Sequence, residues 1–477
     1  MRVLVLHQPE KRLKHLNFSK GIEAEMAPVT APQPGHWDAI MHWGPPPAVS
    51  LLENGVYGAH LNPPHAVQTA IDPVRTVQIW RAHGIDTRFY EPARRKRSRI
   101  GPRYRFHICD LRILAVYRRR GGKYRLTSPW GGRRMERVRE RALQCIYTLG
   151  LHFGSIDVGC IGRKHVVPLN LDPTPSLNKR TGKRYAKGAV DFVTRYQERL
   201  QTPRHPVVLG ADLEFIIKRR KGGLIYASRF FSRTGRIGYD QQSSRHSRRS
   251  YPIAEIRPAP SQDPSEIVAN IKSLLRRASR RAGKSTRFEA GSLPVRGYPI
   301  GGHIHLSRIS MTTGLLRALD NYLALPVMML ESPLRARRRR PRYGHLGEFR
   351  WKGYGGFEYR TLSSWIVAPH FALAVLSLAK LVADNYESLQ RDFMQSPELV
   401  RAFYRQDKEA LKEQFRLVWA DLQGLDDYRK VAEQIEVIPN LVNEEKQWLE
   451  SRDIRARWGL ISARRRKRGR ASRKGRG

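Results

Sequence analysis

The stretch GADLEFII (Gly210–Ile217) sets two acidic side chains, Asp212 and Glu214, two residues apart in an apolar run. In a β-strand successive side chains leave opposite faces, so this pair shares one face. The same spacing recurs as Glu255 and Arg257 in PIAEIRPAP (Pro252–Pro260), His303 and His305 in PIGGHIHLS (Pro299–Ser307), and Glu358 and Arg360 in FEYRTL (Phe357–Leu362). Leu213, Ile256, Ile304 and Tyr359 then point the other way, towards a core. If the strands share one sheet, one of its surfaces is lined with carboxylates, imidazoles and guanidinium groups.

Such a surface suits a divalent metal and polyphosphate. Mg²⁺ prefers oxygen ligands and is often held by a few carboxylates plus substrate phosphates. Asp212, Glu214, Glu255 and Glu358 supply four carboxylates. His303 or His305 adds a nitrogen ligand or a phosphate contact, and Arg257 and Arg360 offer forked donors for phosphate or carboxylate. Gly301–Gly302 lets a backbone approach a ligand closely. Taken singly, each pair also fits an ordinary solvated strand face; together in one region they favour a site.

Composition narrows the partners. The 477 residues suffice for two to four domains, and 40% hydrophobic content is ordinary for a globular chain. The balance of 88 Lys+Arg against 42 Asp+Glu leaves a net charge of +46, which favours polyanionic partners. The excess is spread along the chain, so a compositional habit explains it equally well. Basic runs occur at Arg94–Arg99, Arg335–Arg340 and Arg464–Arg468, the last in a tail (461–477) expected to be disordered. Three cysteines without a CxxC spacing argue for a reducing compartment and against a zinc knuckle. With no signal peptide and no membrane-length apolar run, a cytoplasmic protein is expected.

Strand and helix signals alternate through the first 200 residues: strands at Arg2–His7 and Trp37–Trp43, one helix over Ala66–His83, a strand–turn–strand over Tyr104–Tyr117 turning at Asp110–Leu111, a helix at Arg134–Leu149, and a hairpin from Ile156 to Asn170. A helix and linker closed by Pro203 and Pro206 leads to a second domain. The expected division is 1–200, 207–390, a helical extension 391–460 and the tail.

GADLEF, the segment from Gly238 to Pro260, GGHIHLS, and RYGHLGEFRWKGYGGFEYRTLSSW (Arg342–Trp365) occur in the order of the phage and bacterial carboxylate–amine ligases. The chain resembles these amidoligases of the glutamate–cysteine ligase and glutamine synthetase superfamily over residues 207–390. The resemblance implies an α+β fold whose antiparallel sheet curves around ATP and Mg²⁺, and amide formation through an acyl-phosphate. It implies metal ligation by Asp212, Glu214, Glu255, His303 and Glu358, with His305 and Arg360 on the phosphate side. Arg360, Arg257, Arg350 and Lys352 would stabilise transferring charge. Asp212 departs from the Glu-x-Glu common elsewhere in the superfamily but keeps the charge.

The N-terminal region resembles an ATP-grasp α/β domain through Leu61–Thr87, Tyr104–Asp110, and the segments LGLHFGSIDVG and VVPLNLDPTP. There the family implies nucleotide-side Mg²⁺ contacts from Asp157, Asn170 and Asp172. Pro168 occupies the usual Glu position, Arg75 replaces a lysine, and only a short basic stretch separates Thr87 from Tyr104 where a lid is usual. An active domain and a degenerate scaffold for docking both remain open.

The leading expectation is an ATP- and Mg²⁺-dependent ligase acting on small-molecule or peptide carboxylates and amines. A nucleic-acid-binding protein on a ligase-like scaffold is the alternative, warranted by net charge, with nonspecific polyanion adhesion in either case. A single-metal hydrolase built on His303 and His305 lacks a third ligand with zinc-like spacing.

Overall fold

The computed structural model describes residues 1–8, 13–45, 50–90, 100–162, 165–200, 206–242 and 249–461. Arg94–Arg99, Pro203 and the tail beyond residue 461 lie outside the described residues. The fold is mixed α/β, with sheets of four, five and eight strands.

The first sheet is parallel, in the order β2 (Glu23–Pro28), β1 (Arg2–His7), β3 (Gly35–Trp43), β4 (Val56–Leu61). β1 reads RVLVLH without polar alternation because both its faces are covered: Val3 and Val5 join one apolar cluster, Leu4 and Leu6 another. The helix expected over Ala66–His83 is two helices, α1 (Pro64–Ile71) and α2 (Pro73–Ala82). Pro73 lacks the N–H that a continuous helix needs, and Asp72 caps α2 by accepting from the Val74 and Arg75 amides at 2.8 and 3.1 Å.

The five-stranded sheet is antiparallel: β7 (Lys123–Thr127), β6 (Arg112–Arg120), β5 (Arg103–Cys109), β8 (Phe153–Ile161), β9 (His165–Asp172). Asp110 and Leu111 both take positive φ and make the two-residue turn between β5 and β6. Helix α3 (Gly132–Thr148) packs on β8 and β9, and α4 (Lys179–Leu200) on β6 and β5.

The eight-stranded sheet is built around one strand, β10 (Val208–Arg219). It pairs antiparallel with β11 (Leu224–Ile225), β13 (Ile253–Ile256), β14 (Thr286–Glu289) and β15 (Gly302–Ser307). β12 (Ile237–Tyr239) extends the sheet beyond β13, and β17 (Phe357–Tyr359) with β16 (Phe349–Trp351) beyond β15. Helix α5 (Pro264–Ala282), capped by Asp263, packs against β13. Helix α6 (Thr313–Leu319) runs through a π-turn at Asp320–Ala324 into α7 (Leu325–Leu330), followed by α8 (Pro333–Arg339) and α9 (Pro369–Asn385). Among the described residues five further α-helices follow: α10 (Pro397–Arg405), α11 (Lys408–Gln423), α12 (Tyr428–Ile435), α13 (Val437–Asn443) and α14 (Ile454–Arg457). Among the described residues no helix is long and apolar enough to cross a membrane.

One apolar core includes Leu213 and Ile304 of the large sheet, Phe403, Trp419 and Trp458 of the C-terminal helices, and Ala82, Leu111 and Tyr147 of the N-terminal region. Polar ties cross the same boundary. The Tyr147 hydroxyl donates to Asp320 at 2.7 Å, and Arg199 ion-pairs with Glu387 at 2.9 Å. Trp458 is buried and its indole N–H donates to the Ile366 carbonyl at 2.9 Å. Trp458→Ala is therefore expected to cost about 3–5 kcal/mol in urea unfolding. A loss below about 1 kcal/mol would show the last helices to be peripheral.

Candidate active site

The four sequence pairs meet on one face of the large sheet. Antiparallel register sets Glu214 opposite Glu255, Asp212 opposite His303, and His305 opposite Glu358. Leu213, Ile256, Ile304 and Tyr359, on the other face, are fully buried. Arg257 and Arg360 lie one residue beyond the ends of β13 and β17, so each can turn back on the glutamate before it.

Two clusters result. In the first, donor atoms of Asp212, His305 and Glu358 lie within 4.8 Å of one another. His305 Nε2 is 3.0 Å from Asp212 Oδ2. Lys352 Nζ stands 2.8 Å from Glu358 Oε2 and 3.7 Å from Asp212 Oδ2, while Arg360 Nη1 is 2.5 Å from Glu358 Oε1 and Arg350 Nη1 3.5 Å from Glu358 Oε2. Burial alone would raise the pKa of Glu358; the His303 hydrogen bond and the charges of Arg360 and Lys352 outweigh it and hold the group ionised. Asp212 is likewise held below its ordinary range, against burial, by His305 and Lys352.

The second cluster joins Glu214, Glu255 and Asp240, which follows β12. Among the described residues cations are scarcer here. Arg257 pairs with Glu255 and donates to the Gly235 carbonyl at 2.8 Å. Glu214 Oε2 accepts the Gly301 amide at 2.6 Å, yet burial, and then the charge of Asp240, push its pKa up to about 8.

A buried bridge connects the clusters. His303 Nδ1 lies 3.0 Å from Glu358 Oε1 and its Nε2 2.9 Å from the Tyr343 hydroxyl, which is 3.2 Å from both Glu214 oxygens. With Nδ1 donating to ionised Glu358, Nε2 accepts from Tyr343, and the proton between Tyr343 and Glu214 then belongs to Glu214. The tautomer follows from these partners, and it agrees with the raised pKa of Glu214. Both ring nitrogens of His303 are thus engaged, and it stands outside both three-residue clusters, whereas His305 stands inside one.

Three residues absent from the sequence reading complete the geometry: Asp240, Tyr343 and Glu348. Glu348 Oε1 lies 3.3 Å from Arg360 Nε and Oε2 accepts the Gly344 amide at 2.6 Å, so it aims Arg360 at Glu358. All three lie within the ordered motifs, but irregular backbone carries them, and alternation is silent there. The Gly301–Gly302 pair serves packing rather than ligand approach: a Cβ at residue 302 would meet Trp365 at 2.6 Å, and one at 301 would meet His303 at 2.4 Å. The run Arg335–Arg340 is no solvated face at its end. Arg339 is buried and donates to the carbonyls of Ile300, Thr361 and Leu362, and Arg340 is buried against Glu331.

In the five-stranded sheet, Asp157 faces Asn170 across β8 and β9, and Asp172 faces Ser155. Arg105 takes both Asp157 oxygens at 2.7 and 2.9 Å, and the Tyr124 hydroxyl adds a bond at 2.8 Å. Asp172 accepts from the Thr174 amide at 3.1 Å.

The raised pKa of Glu214 has a stability consequence of fixed sign. A carboxyl whose folded pKa exceeds its unfolded value favours the fold at low pH and loses that contribution as pH rises through about 8. Glu214→Gln, which cannot ionise, should raise the melting temperature of metal-free protein at pH 9 and leave it near unchanged at pH 5. An equal shift at both values would contradict the assignment.

The sequence signature of the phage phiEco32-like COOH·NH2 ligase, type 2, matches residues 209–460. No curated protein matches. Among solved structures, the macrocyclase MdnC bound with precursor peptide MdnA from Microcystis aeruginosa MRC is 11% identical, covers 40% of this chain and 100% of its own, and has a TM-score of 0.28. The ATP-grasp ligase PsnB, complexed with a phosphomimetic variant of minimal precursor, Mg and ADP, is 11% identical over 40% of this chain and 97% of its own, TM-score 0.26. A bifunctional glutathione synthetase from Pasteurella multocida is 9% identical over 55% and 53%, TM-score 0.33. Likenesses this remote carry nothing about activity. The signature spans more than half of the chain and every residue of both clusters, and the chain belongs to the phage phiEco32-like COOH·NH2 ligase type 2 family, as a carboxylate–amine ligase.

Proposed function

We propose that the face between β12 and β16 forms an amide from a carboxylate and an amine with ATP and Mg²⁺, through an acyl-phosphate. The observation that carries this reading is the gathering of two acidic clusters and three cationic side chains, Lys352, Arg350 and Arg360, on one strand face. A carboxylate oxygen is a poor leaving group in water. Transfer of a phosphoryl group to it makes a leaving group that an amine can displace, and that transfer depends on positioning and charge neutralisation.

The donor sets fit divalent cations. Oxygen ligands dominate both, as Mg²⁺ requires. Lys352 lays an ammonium between Glu358 and Asp212, where positive charge is called for, and Glu214 retains a proton in a cluster short of cations among the described residues. Asp212, His305 and Glu358 would hold one ion, and Glu214, Asp240 and Glu255 a second. Bound there, the ions would neutralise phosphate oxygens and polarise the transferring group. Arg360, aimed by Glu348, with Arg350 and Lys352 would stabilise charge on the phosphoryl oxygens, and Arg257 would hold Glu255 in place. His303 would act through Glu358 and Tyr343 rather than as a ligand.

In this reading the amide forms on the strand face of the large sheet, and in the N-terminal region Arg105 pairs with Asp157. The substrates are a small-molecule or peptide carboxylate and an amine. A nucleic-acid scaffold is not favoured, since clustered carboxylates repel a phosphate backbone.

Glu358→Gln and Asp240→Asn should each abolish amine-dependent ADP release, at least a hundredfold, with circular dichroism unchanged. Normal turnover in either would sink the assignment. Cation binding must displace the Glu214 proton, so Mn²⁺ affinity measured in metal-only titrations should rise from pH 6 to pH 8. Affinity that is flat over that range would contradict a role for Glu214.

A further inference from the structure

Tyr359 stands between the two site residues Glu358 and Arg360 and points the opposite way, into the core. β17 is three residues long, and so are its registers with β15 and β16, so the ladder alone holds it weakly. A side-chain tie behind the strand adds to that hold. The Tyr359 hydroxyl donates to Asp320 Oδ1 at 2.6 Å, and the Tyr147 hydroxyl, from α3 of the N-terminal region, donates to Oδ2 at 2.7 Å. All three side chains are buried. Asp320 opens the π-turn between α6 and α7, a widening of the helix that often marks a functional site.

Tyr147 reaches a second part of the same site. Its ring lies against Gly347, where φ is +74° and a Cβ would meet Tyr147 Cε1 at 2.2 Å. Gly347 precedes Glu348, whose Oε1 stands 3.3 Å from Arg360 Nε. Arg317 in turn fixes Tyr147, donating to its carbonyl at 2.6 Å. A carboxylate suits the centre of this tie because it accepts from both hydroxyls at once. An amide of the same shape has one accepting oxygen, so one tyrosine would lose its acceptor. Burial pushes the pKa of Asp320 up to about 7, and the two hydroxyl bonds oppose that rise. Placement on this scale matters: a shift of about 1 Å caused far from the reacting atoms can cost about a hundredfold in rate.

We propose that Asp320 and Tyr147 are positioning residues of the strand site. Asp320 holds β17 so that the Glu358 carboxylate meets Lys352, Arg350 and His303, and Tyr147 makes the N-terminal region part of that hold. The consequence for turnover rests on the ligase reading; the consequence for the geometry of Glu358 does not.

Tyr147→Phe, which removes one hydroxyl and keeps the ring on Gly347, tests the proposal at pH 8. Its kcat for amine-dependent ADP release should fall about tenfold with KM for ATP unchanged. Asp320→Asn should lower kcat at least as far, and Tyr147→Phe should add little in that background. Tyr322→Phe is the comparison, because the Tyr322 hydroxyl donates to Asp421 at 2.8 Å, a tie of the same kind that leads away from β17. Its kcat should equal that of the unaltered chain. A second readout needs no turnover: the proton on His303 Nδ1, a nitrogen 3.0 Å from Glu358 Oε1, gives an NMR signal identified by its loss in His303→Gln. Tyr147→Phe should shift that signal, and Tyr322→Phe should not. Normal kcat with an unmoved signal in folded Tyr147→Phe would overturn the proposal, as would equal effects from Tyr322→Phe. In a chain that releases no ADP, a shifted signal would sustain the positioning and remove only the ligase reading, whereas an unmoved one would overturn the positioning itself.

Discussion

The arrangement depends on one constraint: negative charge taken out of water must be neutralised where it lies. Strand β10 brings Asp212 and Glu214 onto a half-covered sheet face, and its register with β13 and β15 adds Glu255 and, through β17, Glu358. The hairpin of β16 and β17 supplies Arg350, Lys352 and Arg360 to the first cluster, which stays ionised. Among the described residues the second cluster has Arg257 for Glu255 but no comparable cation for Glu214, and it responds by keeping a proton. The asymmetry sets an ammonium against one cluster and leaves a proton in the other.

Tyr343 and His303 make the two clusters one site. Burial lowers the pKa of His303, and with that ring neutral the hydrogen bonds from Glu358 to Glu214 are matched when His303 donates to Glu358 and Glu214 keeps a proton. Side chains fixed by such a network are held close to working geometry before any ligand arrives. Packing against the opposite face, from Leu213 to Tyr359, keeps the strands from sliding, since a one-residue slip would bury the charges and expose the core.

Much of this was legible in the sequence, because period-two alternation is a strong signal when polar and apolar residues separate cleanly. Asp212, Glu214, Glu255, His305 and Glu358 fall on regular strands, and the structure gathers them. Asp240, Tyr343 and Glu348 sit after a strand or in the turn-rich segment before β16, where no periodicity reports direction. His303 shares a face with His305, yet burial and two partners separate their environments, and spacing cannot express that. The break at Pro73 was readable from proline chemistry, while the short strands β2 and β7 carry too few apolar residues to stand out. The engagement of Asp157 by Arg105 and Tyr124, and the burial of Arg339 and Arg340, come from long-range packing alone.

Anomalous diffraction from crystals grown with Mn²⁺ and a non-hydrolysable ATP analogue tests the central claim most directly. Two manganese peaks are expected, one among Asp212, His305 and Glu358 and one among Glu214, Asp240 and Glu255, with Lys352 displaced towards the nucleotide phosphates. Manganese bound only at Asp157, Asn170 and Asp172, with both strand clusters empty, would contradict it.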